Sequence, residues 1–204
     1  MHSASIDTIK VATVTMSEPP ADYRSMSTDE ILDSLAIQVY EPPLSKLRED
    51  LRSVPEVFRI PVLIIDFNTE VCMQGILGFL ENSTGFYLAD TIAAMEAIGA
   101  HDTAATLRTI QGIMAEHAVT HERLRGDLAR MQQWQITTFA ECHGEDLSQM
   151  ADLVVQKSKK LYIYNGMHDR EGEDVFVLLS AFIEQRRDEL VALLEAYLAG
   201  GASD

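Results

Sequence analysis

The stretch PEVFRIPVLIIDF (55–67) decides the fold. It is apolar and β-branched, with Pro61 in its middle. It reads either as a buried helix broken at the proline or as one strand, and hydrophobic periodicity does not separate the two. The flanking sequence gives the context. Upstream, Ser27-Thr28-Asp29-Glu30 makes a capping box, in which each end residue satisfies a backbone amide of the other. Ile31, Leu32, Leu35 and Val39 then share one helix face, and Pro42-Pro43 end the helix. A short helix over 44–52 precedes Pro55. Downstream, helices are expected over 69–80, 87–98 with Gly99 as the C′ residue, 102–118, 121–141, 146–164 and 174–198. The polar stretches ENSTG (81–85), CHGED (142–146) and NGMHDREGED (165–174) punctuate them. Residues 1–26 read as a leader. Tandem helices with short connections predict a single all-α domain of seven to nine helices over 27–204.

The charge is lopsided. Of 204 residues, 16 are Lys or Arg and 32 are Asp or Glu, a formal net charge of −16. This excludes direct nucleic-acid binding through a basic field and disfavours an anionic membrane surface. A basic partner fits the sign, or the charge serves solubility. Cys72 and Cys142 form no CxxC, no apolar secretory segment opens the chain, and no uninterrupted apolar run reaches membrane-spanning length. A soluble cytoplasmic protein is expected.

No Lys or Arg lies between Arg59 and Arg108, a tract holding Asp66, Glu70, Glu81, Asp90, Glu96 and Asp102. A second such tract, between Arg130 and Lys157, holds Glu141, Glu145, Asp146 and Asp152, and the 165–174 loop adds further acids. Acids without neighbouring cations are expected to project their field into solvent. On helices, carboxylates one or two turns apart span distances comparable to successive phosphates. The candidate partner-binding residues are therefore Asp66, Glu81, Asp90, Glu96, Asp102, Glu145, Asp146 and Asp152. The plainer alternative is a solvated acidic face.

Signs of catalysis are weak. His117 and His121 are four apart, the spacing of two ligands on one helix face, and a third ligand would come from His143, Cys142 or a carboxylate. The run lacks the glutamate of H-E-x-x-H, so surface or capping histidines are expected. Cys142 and His143 are adjacent, and adjacent helical side chains diverge. The loop from Asp169 to Asp174 has its glycine, Gly172, at the wrong position for a calcium loop. It reads instead as a helix entry, with Glu173 or Asp174 at the positive end. Gly75 and Gly78 read as close-packing glycines, and most aromatics, Phe86 and Trp134 included, as core. VFVLLSAFI (175–183) is apolar almost all round and suggests burial on more than one side, in the core or at a dimer interface. No catalytic residue, metal or cofactor is expected.

Glu70, Val71, Gly75, Phe79, Asn82, Ser83, Gly85 and Tyr87, followed by ADTIAAMEAIGA (89–100), resemble a bacterial family catalogued as a domain of unknown function. Met73, Gln74, Ile76 and Gly78 depart from its pattern. The resemblance spans about 28–164. That family includes an acidic, dimeric DNA-mimic protein, so the resemblance implies a non-enzymatic regulator competing with DNA for the basic face of a DNA-binding protein, and a homodimer. A dimeric helical scaffold whose acidity only solubilises is the alternative. The motif residues also have a structural reading: Asn82 and Ser83 would cap backbone amides, Gly85 would take a positive φ, and Phe79 and Tyr87 would pin two helices.

Overall fold

The computed structural model describes residues 22–131, 138–159, 161 and 173–200. Among these residues the regular structure is entirely helical, as expected. Helix α1 (Thr28–Gln38) opens on the expected capping box. The Glu30 carboxylate accepts from the Ser27 amide at 2.7 Å, and that bond holds the Glu30 carboxyl below the usual carboxylate range. A 3-10 helix (Leu44–Ser53) carries the chain to Pro55, the N-cap of α2 (Glu56–Glu81).

The stretch 55–67 is thus the start of a helix. A lone apolar strand would have no partner for its backbone N–H and C=O groups, whereas a helix satisfies them internally. Pro61, in the second turn, removes only the bond to the Val57 carbonyl. From Ile60 to Phe67 every residue is buried, because α1, α3, α5, α7 and α9 all pack against α2. By length and hydropathy α2 would suffice to cross a bilayer; here helices of the same chain cover its apolar surface.

Helix α2 also absorbs the helix expected over 69–80, with one break at Gly75 (φ 72°, ψ −178°). That backbone conformation is open essentially to glycine alone. A Cβ at Gly75 would meet nothing within 4 Å. The residue is needed for its dihedrals and not, as expected, for close packing. A second 3-10 helix (Ser83–Tyr87) leads into α3 (Leu88–Ala97), and Gly99 (φ 85°) follows as the expected C′ residue before α4 (His101–Glu116).

Two long helices expected from periodicity are divided. The 121–141 segment gives α5 (His121–Ala129) and, after residues outside the described set, α6 (Phe139–His143), which opens on its own capping box of Thr138 and Glu141. After Gly144 and a 3-10 turn (Glu145–Leu147) comes α7 (Ser148–Ser158). The final segment splits at Arg186 (φ −126°, ψ 19°) into α8 (Val175–Gln185) and α9 (Arg187–Gly200). Arg186 ion-pairs with Glu56 and Glu189, where helical polar patterning alone showed no break. Helix α8 buries a single stripe of Val175, Leu179 and Ile183 and leaves Val177 61% exposed, so it is not covered on several sides. Phe86, expected in the core, is 45% exposed. Trp134 and the acids of the 165–172 loop lie outside the described residues.

Replacing Gly75 by Ala should destabilise the protein by about 1–3 kcal/mol through backbone strain alone. Chemical denaturation of the variant, with circular dichroism to confirm that helix content is kept, measures this.

Candidate functional site

The proposed acidic surface is best judged by what each carboxylate faces. Asp66 is only 6% exposed. Its oxygens accept from Arg48 Nη2 at 2.8 Å and from the Tyr40 hydroxyl at 2.8 Å, while the Arg48 guanidinium lies 4.3 Å from the centre of the Tyr40 ring. Asp66 is therefore an internal group, contrary to its expected place on a binding surface. Burial, reinforced by the neighbouring Asp66 charge, pushes the Tyr40 phenol up to about 12.

Four more expected acids are also paired. Asp90 meets Arg52 at 2.8 Å, and Arg52 stacks over the Phe86 ring at 4.5 Å, which explains that exposed aromatic. Glu96 pairs with Arg108, and Asp146 with Arg123 at 3.0 Å. Glu81 lies 2.6 Å from Nε2 of His143. These partners come from other elements, so a tract without basic residues in sequence is not a tract without basic neighbours in space. Asp102, Glu145 and Asp152 are exposed and have no cationic partner among the described residues. Next to Asp102, Glu173 accepts from the α4 amides of Asp102 (2.8 Å) and Thr103 (2.9 Å). Burial works against its ionisation, and these two amides overcome it, holding the Glu173 carboxyl below its ordinary range. Glu173 thus caps α4, and Asp174 caps its own helix α8 by accepting from Val177 N–H.

The motif residues form a brace. Glu70 Oε2 accepts from Asn82 Nδ2 at 2.6 Å, linking the two sides of the Gly75 break. Asn82 therefore bonds a side chain, and no side-chain cap bond is made by it. Gly85 does not take a positive φ; a Cβ there would stand 2.6 Å from the Leu80 carbonyl oxygen and 2.7 Å from that of Phe79. The glycine permits close backbone approach. Phe79 is buried edge-on to Phe67 at 5.0 Å, across the Gly75 break of the same helix, and half-buried Tyr87 packs against the core and edge-on to Phe86 at 5.3 Å. Ser83 and Tyr87 line an open cleft of about 570 Å³ with Arg48, His121 and Arg125.

His117 and His121 do not share a helix face. His117 ends α4, Ala118 takes a left-handed φ of 52°, and Thr120 caps α5 by accepting from Arg123 N–H at 3.2 Å. His121 Nδ1 sits 3.1 Å from the Leu80 carbonyl oxygen. A different polar group lies inside. His143 is buried, with Nδ1 3.0 Å from Asp127 and Nε2 facing Glu81. Sequence spacing gave no signal for it, since Glu81, Asp127 and His143 lie on α2, α5 and α6.

Comparison with known protein families matches residues 52–200 to the family described as DMP19-like protein. The chain belongs to this family. The match begins later than the resemblance over 28–164 and extends past it to take in α8 and α9. No curated protein and no solved structure matches the chain. Within the matched region lie the Glu70–Asn82 brace and Asp102, Glu145 and Asp152, whereas Arg48 and Tyr40, which hold Asp66, precede it.

Two predictions follow from the Asp66 cluster. Arg48→Met leaves a buried carboxylate without its cation and should cost about 2–3 kcal/mol in denaturant unfolding. An unfolded tyrosine ionises near 10, while Tyr40 keeps its proton to about 12, so stability is lost as pH rises between these values. Melting temperature should fall over that window, and the fall should be smaller in Tyr40→Phe.

Proposed function

We propose that this family member is a non-enzymatic regulatory protein that binds the basic face of a DNA-binding protein in competition with DNA. Its contact surface is narrower than the acid tracts suggest and centres on Asp102, Glu145 and Asp152. The observation that supports this reading is that these three carboxylates are exposed and without a cationic partner among the described residues, in a chain of net charge −16. Each is held on or beside a helix start or helix body, so little ordering entropy is lost on contact. Asp90, Glu96 and Asp146 are neutralised by their arginines, and buried Asp66 takes no part.

A second reading, a helical scaffold whose acidity only solubilises, draws on the five paired acids. Of these, Asp90, Glu96 and Asp146 sit in surface ion pairs, which leave little directed field. The triple variant Asp102→Asn, Glu145→Gln, Asp152→Asn separates the readings. On the mimicry reading, a low-salt pull-down recovers a DNA-binding protein, added salt releases it, and the triple variant fails to capture it. Capture unchanged in the variant supports the scaffold. Recovery of no DNA-binding protein at low salt removes the mimicry reading.

A further inference from the structure

One cluster mixes nitrogen, sulfur and oxygen donors. Glu81 at the end of α2 and Cys142 and His143 of α6 place one donor atom each within 4.8 Å of one another. His143 is fully enclosed, and Asp127 holds its Nδ1 at 3.0 Å. A carboxylate on Nδ1 fixes the ring so that Nε2 points the other way, which is the arrangement that orients metal-bound histidines. Nε2 here points at Glu81 Oε1, 2.6 Å away.

We propose that Glu81, Cys142 and His143 bind a divalent transition-metal ion of the Zn²⁺ class, with Asp127 as the supporting carboxylate. The ion takes the place of the proton between His143 and Glu81 and of the thiol proton of Cys142, and two protons leave to solvent. Donors bound at about 2.0–2.3 Å to one tetrahedral ion lie about 3.5 Å apart. The Glu81–His143 contact therefore opens by about 1 Å on binding, a side-chain adjustment at a helix end. A thiolate and an imidazole select Zn²⁺, Co²⁺ or Ni²⁺ over Mg²⁺ and Ca²⁺, which take oxygen donors. The placement supports the choice: the buried His143 side chain lies between two carboxylates, Glu81 at 2.6 Å and Asp127 at 3.0 Å, with Cys142 beside them. Water completes the fourth position. The ion ties α2 to α6 and so acts on the fold, apart from the acidic surface.

The test uses the full chain, stripped with a chelator and titrated with Zn²⁺ and Co²⁺. The expected result is one equivalent bound, a thiolate-to-cobalt charge-transfer band in the near ultraviolet, and a rise in melting temperature with Zn²⁺. The band should vanish in Cys142→Ser and persist in Cys72→Ser. Asp127→Asn should weaken Zn²⁺ binding about 10–100-fold. Because His143 is central to packing, Cys142→Ser and Glu81→Gln, checked for retained helicity, carry the decision. Absence of stoichiometric binding, a cobalt spectrum without the thiolate band, or binding unchanged in both variants overturns the proposal.

Discussion

Everything in this fold follows from a helix that is apolar on all sides. From Ile60 to Phe67, α2 exposes no polar face, and such a cylinder must be covered all round. Five other helices do that, and their order around α2 sets where every surface group falls. Hydrophobic burial supplies the drive, while backbone hydrogen bonds inside the helix keep the buried polar groups satisfied. The single charge in that stretch, Asp66, is tolerated because Arg48 and Tyr40 come to it from the preceding segment.

The Gly75 break resolves a second constraint. A straight 26-residue helix spans about 39 Å. The break redirects its last turn, and the Glu70–Asn82 bond holds the two parts in register. Gly85 then lets the following 3-10 turn lie against the Phe79 and Leu80 carbonyls. Four residues of the recognisable motif, Glu70, Gly75, Asn82 and Gly85, thus do mechanical work on one corner of the fold. The acids of the proposed contact surface lie elsewhere, on α4, α7 and the turn before α7.

Long-range electrostatics reshape the surface. Opposite charges attract across elements as readily as along them, and the folded chain brings Arg52 to Asp90 and Arg123 to Asp146. Net charge survives folding unchanged, but its distribution does not. A chain that is twice as rich in acids as in bases keeps unpaired carboxylates after all pairing, and in this protein Asp102, Glu145 and Asp152 are among them.

By itself the sequence determined the helical class, the capping box at Ser27, the C′ glycine at Gly99, the sign of the surface and the family, because each of these is written in local spacing or in composition. It did not show that 55–67 joins 69–80, that 121–141 and 174–198 are each interrupted, or which acids stay unpaired. Those outcomes depend on contacts between residues far apart in the chain: Arg186 reaching Glu56, His143 meeting Glu81, Arg48 reaching Asp66. Periodicity reports which face of a helix is apolar. Only tertiary packing decides what that face, and every charge beside it, will meet.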